Sequence, residues 1–109
     1  MATIDEVGPA KANVDVSRNA NGTVIVALSG ELDISNVELI REQLGLGIGQ
    51  TLPAVVVDVA ELSFMDSSGI ALLVQIAGQA GQITLRNVSP LIQRVLTATG
   101  VNEILPAAP

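Results

Sequence analysis

The stretch at residues 64–70, Phe-Met-Asp-Ser-Ser-Gly-Ile, contains the side chains of this sequence that are best placed for chemistry. Asp66 precedes two adjacent serines, Ser67 and Ser68, which are followed by Gly69. Such residues begin helices, because a short side chain that carries oxygen accepts a hydrogen bond from a first-turn amide. A first-turn hydroxyl is also accessible to a kinase, and phosphorylation adds a charge of about −1.5 to −2. From the residues alone, this stretch is compatible with a helix cap, with a phosphoacceptor, or with both.

Other kinds of chemistry are excluded by the residue types that the sequence lacks. It has no histidine and no cysteine, which removes imidazole catalysis, thiol chemistry and most zinc sites. A nucleophilic serine would therefore have no histidine as its base. The stretch also lacks the glycine spacing and the lysine of a nucleotide-binding P-loop. We expect neither an enzyme nor a cofactor site.

Carboxylates offer two candidate cation sites, and neither has the spacing of a calcium-binding loop. Solvated acids in turns explain both groups better, so we predict no metal site. Nothing in the sequence brings two acids together for hydrolysis either. The candidate groups are Glu31 with Asp33, and Asp58 with Glu61 and Asp66.

Length and charge restrict the class of protein and its partners. The 109 residues suit one domain, which we place at residues 12–105, with a flexible leader at 1–11 and a flexible tail at 106–109. The net charge is −6 and the only aromatic residue is Phe64, which argues against direct contact with nucleic acid. The first residues lack the basic start and apolar core of a signal peptide, and no apolar run approaches the roughly 20 residues of a membrane span, so we expect neither a signal peptide nor membrane insertion. We therefore expect a cytoplasmic protein.

The elements around the serines follow from the hydrophobic pattern. Residues 54–59 form an apolar run that predicts a strand buried on both faces, and residues 67–79 follow as a helix. Upstream, strands at 13–18 and 23–29 flank Asn21-Gly22, which predicts an antiparallel hairpin. A helix at 37–48 begins with a capping box made by Ser35 and Glu38.

The last third of the sequence repeats the alternation of strands and helices. Residues 82–86 alternate as a strand, Ser89-Pro90 begins a further helix, and Gly100 is placed to end it. Residues 103–105 are compatible with a final short strand. The order predicts an α/β fold with a mixed four- to five-stranded sheet, an N-terminal antiparallel hairpin, and helices mainly on one face.

Several motifs in this order resemble one bacterial family. They are Gly-Glu-Leu-Asp at 30–33, Val-Asp-Val at 57–59, Leu-Ser-Phe-Met-Asp-Ser-Ser-Gly at 62–69, Asn-Val-Ser-Pro at 87–90 and Thr-Gly-Val at 99–101. Together they resemble the STAS-domain anti-sigma factor antagonists, over roughly residues 12 to 105. That family has a mixed sheet with helices on one side, in agreement with the predicted order.

The resemblance implies a partner-switching function. The unmodified antagonist would bind an anti-sigma factor that is also a serine kinase, and so release a sigma factor. The kinase would phosphorylate Ser67, with Ser68 as the second choice, and the phosphorylated protein would dissociate. A phosphoserine phosphatase would reset it. ATP and Mg²⁺ belong to the kinase in this scheme, so no cofactor is expected here.

The resemblance also implies a contact surface around the serines, formed by Asp66, Ser68 and Gly69 together with the turn at 30–33. Asp33 would then be an interface residue, and the alternative is an Asx turn before Ser35. Phe64 and Met65 are apolar anchors for the partner if they are exposed, and core residues if they are not. A STAS docking subunit of a stressosome-like assembly or of a transporter ATPase complex is the alternative function, and a small-ligand binder has no support in the sequence.

Overall fold

The computed structural model describes residues 11–47 and 51–105. The predicted leader, apart from Lys11, and the predicted tail at 106–109 lie outside the described residues. The elements follow one another as β1 Ala12–Arg18, β2 Val24–Leu32, α1 Val37–Leu44, β3 Leu52–Met65, α2 Ser67–Gln79, β4 Ala80–Arg86, α3 Pro90–Thr99 and a 3₁₀ turn Val101–Glu103.

The strands form one four-stranded sheet in the order β1-β2-β3-β4. β1 pairs with β2 antiparallel, while β3 runs parallel to both β2 and β4. The hairpin turn depends on Gly22, whose φ of 82° favours glycine, and on Asn19, whose Oδ1 accepts from the amides of Asn21 at 2.9 Å and Thr23 at 3.1 Å. The predicted hairpin and the mixed sheet are confirmed.

The core lies between one face of the sheet and the helices. Alternate residues of β2, β3 and β4 are buried on this face, as predicted for helices packed mainly on one side. The prediction that the strand at 54–59 is buried on both faces is wrong, because Ala54, Val56 and Asp58 on the other face are only half-buried. The buried residues of these strands are Val24, Val26, Leu28, Val55, Val57, Val59, Ile83 and Leu85.

β3 contains two bulges where it pairs with β2. From Ala27 to Ser29 the partner advances from Asp58 to Glu61, and from Gly30 to Glu31 it advances from Leu62 to Phe64. β3 therefore uses one extra residue at each place. Extra residues bend a strand and redirect its side chains, and such bulges are common beside functional sites. The buried positions of β3 accordingly change from a spacing of two, at Val55, Val57 and Val59, to a spacing of three, at Leu62 and Met65.

The C-terminal helix has the predicted cap and stop. Ser89 Oγ accepts from the Ile92 amide at 3.2 Å, Pro90 is the first helical residue, and Gly100 ends the helix with a φ of 77°. The predicted strand at 103–105 is wrong, since these residues form a 3₁₀ turn and a bend that brings Leu105 into the core. In the described part of the chain, no helix combines the length and apolarity needed to cross a bilayer.

Candidate functional site

The first turn of α2 confirms the predicted cap. Asp66 Oδ1 accepts from the Ser68 amide at 2.8 Å, and the Asp66 carbonyl accepts from the Ile70 amide at 3.1 Å. Ser67 is the first helical residue and is exposed, whereas Ser68 is half-buried. A cap of this kind is worth about 1 kcal/mol. Because the cap is the aspartate, the Ser67 hydroxyl is not needed for it.

Gly69 allows α2 to approach the end of the sheet closely. A Cβ atom at this position would lie 2.4 Å from Met65 Cγ and 3.0 Å from Leu32 Cδ2, well inside ordinary contact. Gly69 is itself buried. Its side of the first turn therefore packs on Met65 and Leu32, and the exposed side presents Ser67.

The loop after β2 lies beside this turn because the parallel strands end together. Leu32 pairs with Met65, and the Asp66 amide donates to the Leu32 carbonyl at 3.2 Å. The residues that follow, Asp33 on one strand and Asp66 on the other, consequently leave the same edge of the sheet. The structure thus brings the predicted turn at 30–33 next to the serine.

Gly30 fixes the start of the loop at 30–36, which comprises the last three residues of β2 and the turn before α1. Its φ of 88° is in the left-handed region, and an added Cβ would lie only 2.2 Å from the Lys11 carbonyl oxygen. That carbonyl accepts from the Glu31 amide at 2.8 Å. On the other side, Ser63 Oγ donates to the Gly30 carbonyl at 3.1 Å. The residue before β1 and a residue of β3 therefore both hold the loop where it begins.

The loop itself is an Asx turn, the alternative considered for Asp33. Asp33 Oδ1 accepts from the amide of Ser35 at 2.9 Å and from its hydroxyl at 2.5 Å. The predicted capping box is wrong: Asn36 is the N-cap residue, and Glu38 pairs with Arg41. Asp33 takes the Ser35 hydroxyl because its carboxylate is a charged acceptor two residues away. Asp33 is half-buried, so an Asx turn and a contact surface are compatible here.

Phe64 and Met65 separate as a result of the second bulge. Counted from Leu62, plain alternation would bury Phe64 and expose Met65. The extra residue reverses this, so Phe64 is 44% exposed and Met65 is 2% exposed. Phe64 therefore remains available to a partner. The core alternative holds for Met65, whose side chain contributes to a contact surface only through the packing of α2.

Ile34 is the exposed apolar residue that the sequence analysis missed. It is 78% exposed at the tip of the loop between Asp33 and Ser35. Its only sequence signal is a large aliphatic residue within a polar turn, which no periodicity identifies. It adds a second exposed apolar group to the end of the sheet that also carries Phe64.

The ionisable groups at this end of the sheet are mainly acidic. Glu31, Asp33 and Asp66 lie on the loop and at the start of α2, and the nearby Arg41 is occupied by Glu38 and by Gln75 Oε1. Three carboxylates therefore lie on this loop and at the start of α2 before any modification, with Lys11 adjoining Glu31 through its backbone. An added phosphate on Ser67 would concentrate that charge next to Asp66.

Asp58 lies on the open face of the sheet and belongs to a separate cluster. Partial burial raises the pKa of its carboxyl, but hydrogen bonds from the Ala60 amide and the Asn87 side chain, and the Arg86 guanidinium, outweigh burial and hold the pKa below its ordinary value. Arg86 Nη2 lies 3.0 Å from Asp58 Oδ2. Asn87 adopts a left-handed backbone, with a φ of 62°, as it donates to this carboxylate. These bonds tie β3 to β4.

Three of the acids considered as cation ligands have hydrogen-bond partners within the chain. Within residues 11–47 and 51–105, no three acidic side chains come together in a way that could hold an ion. Asp33 is used by the Asx turn, Asp58 by Arg86, and Asp66 by the helix cap.

Comparison with known proteins identifies the family to which this chain belongs. A sequence profile described as the STAS domain matches residues 13–109. This chain belongs to the STAS-domain family. The match covers both the loop at 30–36 and the start of α2, so the two parts of the candidate site lie inside the STAS domain.

Curated relatives and solved structures share this domain along most of its length. The anti-sigma F factor antagonist of Lysinibacillus sphaericus is 37% identical over 84 residues, which cover 72% of each chain. The anti-sigma factor antagonist SpoIIAA in its unphosphorylated form superposes with a TM-score of 0.66 at 28% identity, covering 89% of each chain. The phosphorylated form of SpoIIAA from Bacillus has a TM-score of 0.59 at the same 28% identity, covering 89% of this chain and 92% of that one.

Proposed function

We propose that this STAS domain is an anti-sigma factor antagonist that is switched by phosphorylation of Ser67. The observation that carries the proposal is the exposed hydroxyl of Ser67 on the first turn of α2, next to an aspartate that already caps the helix. Relatives of this chain are named anti-sigma factor antagonists, and one of them, SpoIIAA, has been solved in a phosphorylated form. Ser67 is favoured over Ser68 by its exposure.

The partner in this proposal is an anti-sigma factor that is also a serine kinase. Its ATP and Mg²⁺ are bound by the kinase. The Ser67 oxygen attacks the γ-phosphorus, the bond between that phosphorus and the β–γ bridging oxygen breaks, and ADP leaves. The hydroxyl proton passes to a base of the kinase. A phosphoserine phosphatase hydrolyses the ester and restores the binding form.

The binding surface in this proposal consists of the first turn of α2, the loop at 30–36, and the two exposed apolar side chains Ile34 and Phe64. Aromatic and aliphatic groups that are exposed in the free protein are natural anchors at an interface. Asp33, Asp66 and Ser68 supply polar contacts around Ser67. Gly69 and Met65 act from beneath, by allowing the first turn to lie close to the sheet.

Release follows from the local charge. Moving a complex from nearly all bound to nearly all released requires about 5.5 kcal/mol of differential affinity. A dianion on Ser67 adds to Glu31, Asp33 and Asp66, and its desolvation in a packed interface is costly. The helix N-terminus tolerates the new charge, with a stabilisation of about 0.3–1 kcal/mol. The fold therefore stays intact while the partner surface changes.

The decisive experiment is affinity capture from a lysate of the native cell with wild-type chain and with Ser67→Ala, followed by transfer of labelled phosphate from ATP by the captured partner. Wild type and the matched control Ser68→Ala should be phosphorylated, and Ser67→Ala should bind but remain unlabelled. Labelling of Ser67→Ala at the wild-type rate would refute the acceptor. If Ser67→Asp binds the partner as tightly as wild type, charge is not the cause of release.

A further inference from the structure

Asn36 is the one polar residue that is buried among the described residues, at 8% exposure. Buried polar groups are retained where their hydrogen bonds define a local structure. The side chain of Asn36 does not cap α1, although it occupies the N-cap position. Its hydrogen bonds point backwards along the chain instead, into the loop that lies beside Ser67.

Two of these bonds tie the loop at both ends. Asn36 Nδ2 donates to the Glu31 carbonyl at 2.8 Å, and Asn36 Oδ1 accepts from the Asp33 amide at 3.1 Å. The Asn36 amide donates in turn to the Asp33 carbonyl at 3.1 Å. One amide side chain thus joins the end of β2 to the start of α1. The Asx turn of Asp33 orders the middle of this loop, and the Val37 amide donates to the Asp33 carbonyl at 3.0 Å, but among the bonds described here only the side chain of Asn36 connects the Glu31 carbonyl to the Asp33 amide.

The conformation of this loop matters for recognition. It carries Asp33 and the exposed side chain of Ile34, and it leaves the sheet at the same edge as Ser67. A loop that is already ordered in the free protein loses less conformational entropy when a partner binds. A loop without its internal hydrogen bonds would have to be ordered during binding.

We propose that Asn36 is a positioning residue, which holds the loop at 30–36 in the conformation that the kinase recognises around Ser67. This inference rests on the proposed function. Asn36 contacts Glu31 and Asp33 but is not itself part of the reacting group. Its loss should therefore weaken recognition of the chain as a substrate and leave the phosphate-transfer step unchanged.

The first measurement is amide hydrogen exchange in the free protein, read by NMR. Asn36→Ala should raise the exchange rate of the Asp33 amide by about tenfold, the order expected for one lost hydrogen bond, without raising the rates of core amides. Asn36→Asp keeps an acceptor for the Asp33 amide but has no donor for the Glu31 carbonyl. It should therefore retain slow exchange at Asp33. Unchanged exchange in Asn36→Ala would overturn the inference.

The second measurement is the steady-state kinetics of the kinase that phosphorylates the wild-type chain. Asn36→Ala should raise KM for this substrate by about tenfold at unchanged kcat, with Asn36→Asp in between. Ile83→Val is the control for stability, because Ile83 is a buried core residue of β4. If KM rises equally in Asn36→Ala and Ile83→Val, the effect comes from lost stability, and the positioning role of Asn36 is refuted.

The two proposals fail in different ways. If wild-type chain is phosphorylated at Ser67 and Asn36→Ala has the wild-type KM, the proposed function stands and the role of Asn36 is refuted. If no kinase phosphorylates the wild-type chain, the proposed function fails, and the positioning role of Asn36 fails with it.

Discussion

The two glycines of α2, Gly69 and Gly78, have different surroundings and provide a direct test of how closely this helix approaches the sheet. Gly69 is buried, and a Cβ there would lie 2.4 Å from Met65 Cγ. Gly78 is exposed, and a Cβ there would meet nothing within 4 Å. Neither Gly69 nor Gly78 has a positive φ, so alanine is compatible with both backbone conformations.

Alanine at either position gains the same helix propensity, about 1 kcal/mol over glycine. Gly78→Ala should therefore raise the free energy of unfolding by about that amount. Gly69→Ala adds a methyl group more than 1 Å inside the ordinary carbon–carbon separation of about 3.5–4.0 Å, and overpacking of this kind costs about 1–3 kcal/mol. Because propensity cancels, the difference between the two variants should be about 1–3 kcal/mol.

Urea unfolding followed by far-UV circular dichroism suits this test, because the chain has neither tryptophan nor tyrosine for fluorescence. A second-site change strengthens this test. Met65→Ala removes the atom that lies nearest to the added methyl group and leaves only Leu32 Cδ2, at 3.0 Å, so Gly69→Ala should cost less in that background. Equal stabilisation by Gly69→Ala and Gly78→Ala would refute the close approach of α2 to Met65.

Two further expectations concern the loop and the sheet. Gly30→Ala should lower the free energy of unfolding by well over the roughly 1–2 kcal/mol that a left-handed alanine costs, because its Cβ would lie 2.2 Å from the Lys11 carbonyl oxygen. Gly22 has open space around it, so Gly22→Ala should cost about the left-handed strain alone. Urea unfolding measures both. For Asp58, whose pKa is lowered on folding, the unfolded chain binds more protons. Its contribution to stability is therefore complete above the ordinary carboxyl pKa of about 3.9 and is lost as the pH falls through the lowered value. Asp58→Asn should reduce the loss of stability in that acid range, and identical acid unfolding curves would contradict the assignment.

Local signals in the sequence were sufficient where they act within one element. Asp66 and Ser89 begin helices because each offers an oxygen to its own first turn, and Gly100 ends a helix because it alone accepts the left-handed conformation there. The apolar spacing at 67–79 likewise predicted the bounds of α2. Local signals placed both serines on the first turn of α2, whereas the choice of Ser67 over Ser68 came from the family resemblance and stays a prediction.

The predictions were wrong where a second side chain or the pairing of two strands competes with the local pattern. Ser35 and Glu38 have the spacing of a capping box, but Asp33 captures the Ser35 hydroxyl and Arg41 captures Glu38. The faces of Phe64 and Met65 were unpredictable because they depend on a bulge, which is a property of how β3 pairs with β2. The burial of Asn36 was unpredictable for a similar reason, because its side chain donates to the carbonyl of Glu31, which lies on β2 and outside the helix that Asn36 precedes.

The bulges have a consequence for chain length. Between Val24 and Leu32, β2 spans nine residues, whereas its partner residues on β3 run from Val55 to Met65. This part of β3 is therefore two residues longer than the part of β2 with which it pairs. Removing Ser63 would join Leu62 directly to Phe64 and leave a regular strand with Phe64 still outside and Met65 still inside. A deletion at the second bulge therefore preserves the faces of Phe64 and Met65 and loses the bond from Ser63 to the Gly30 carbonyl, whereas a single residue gained between Met65 and Ser67 would detach the serine from its place beside the loop.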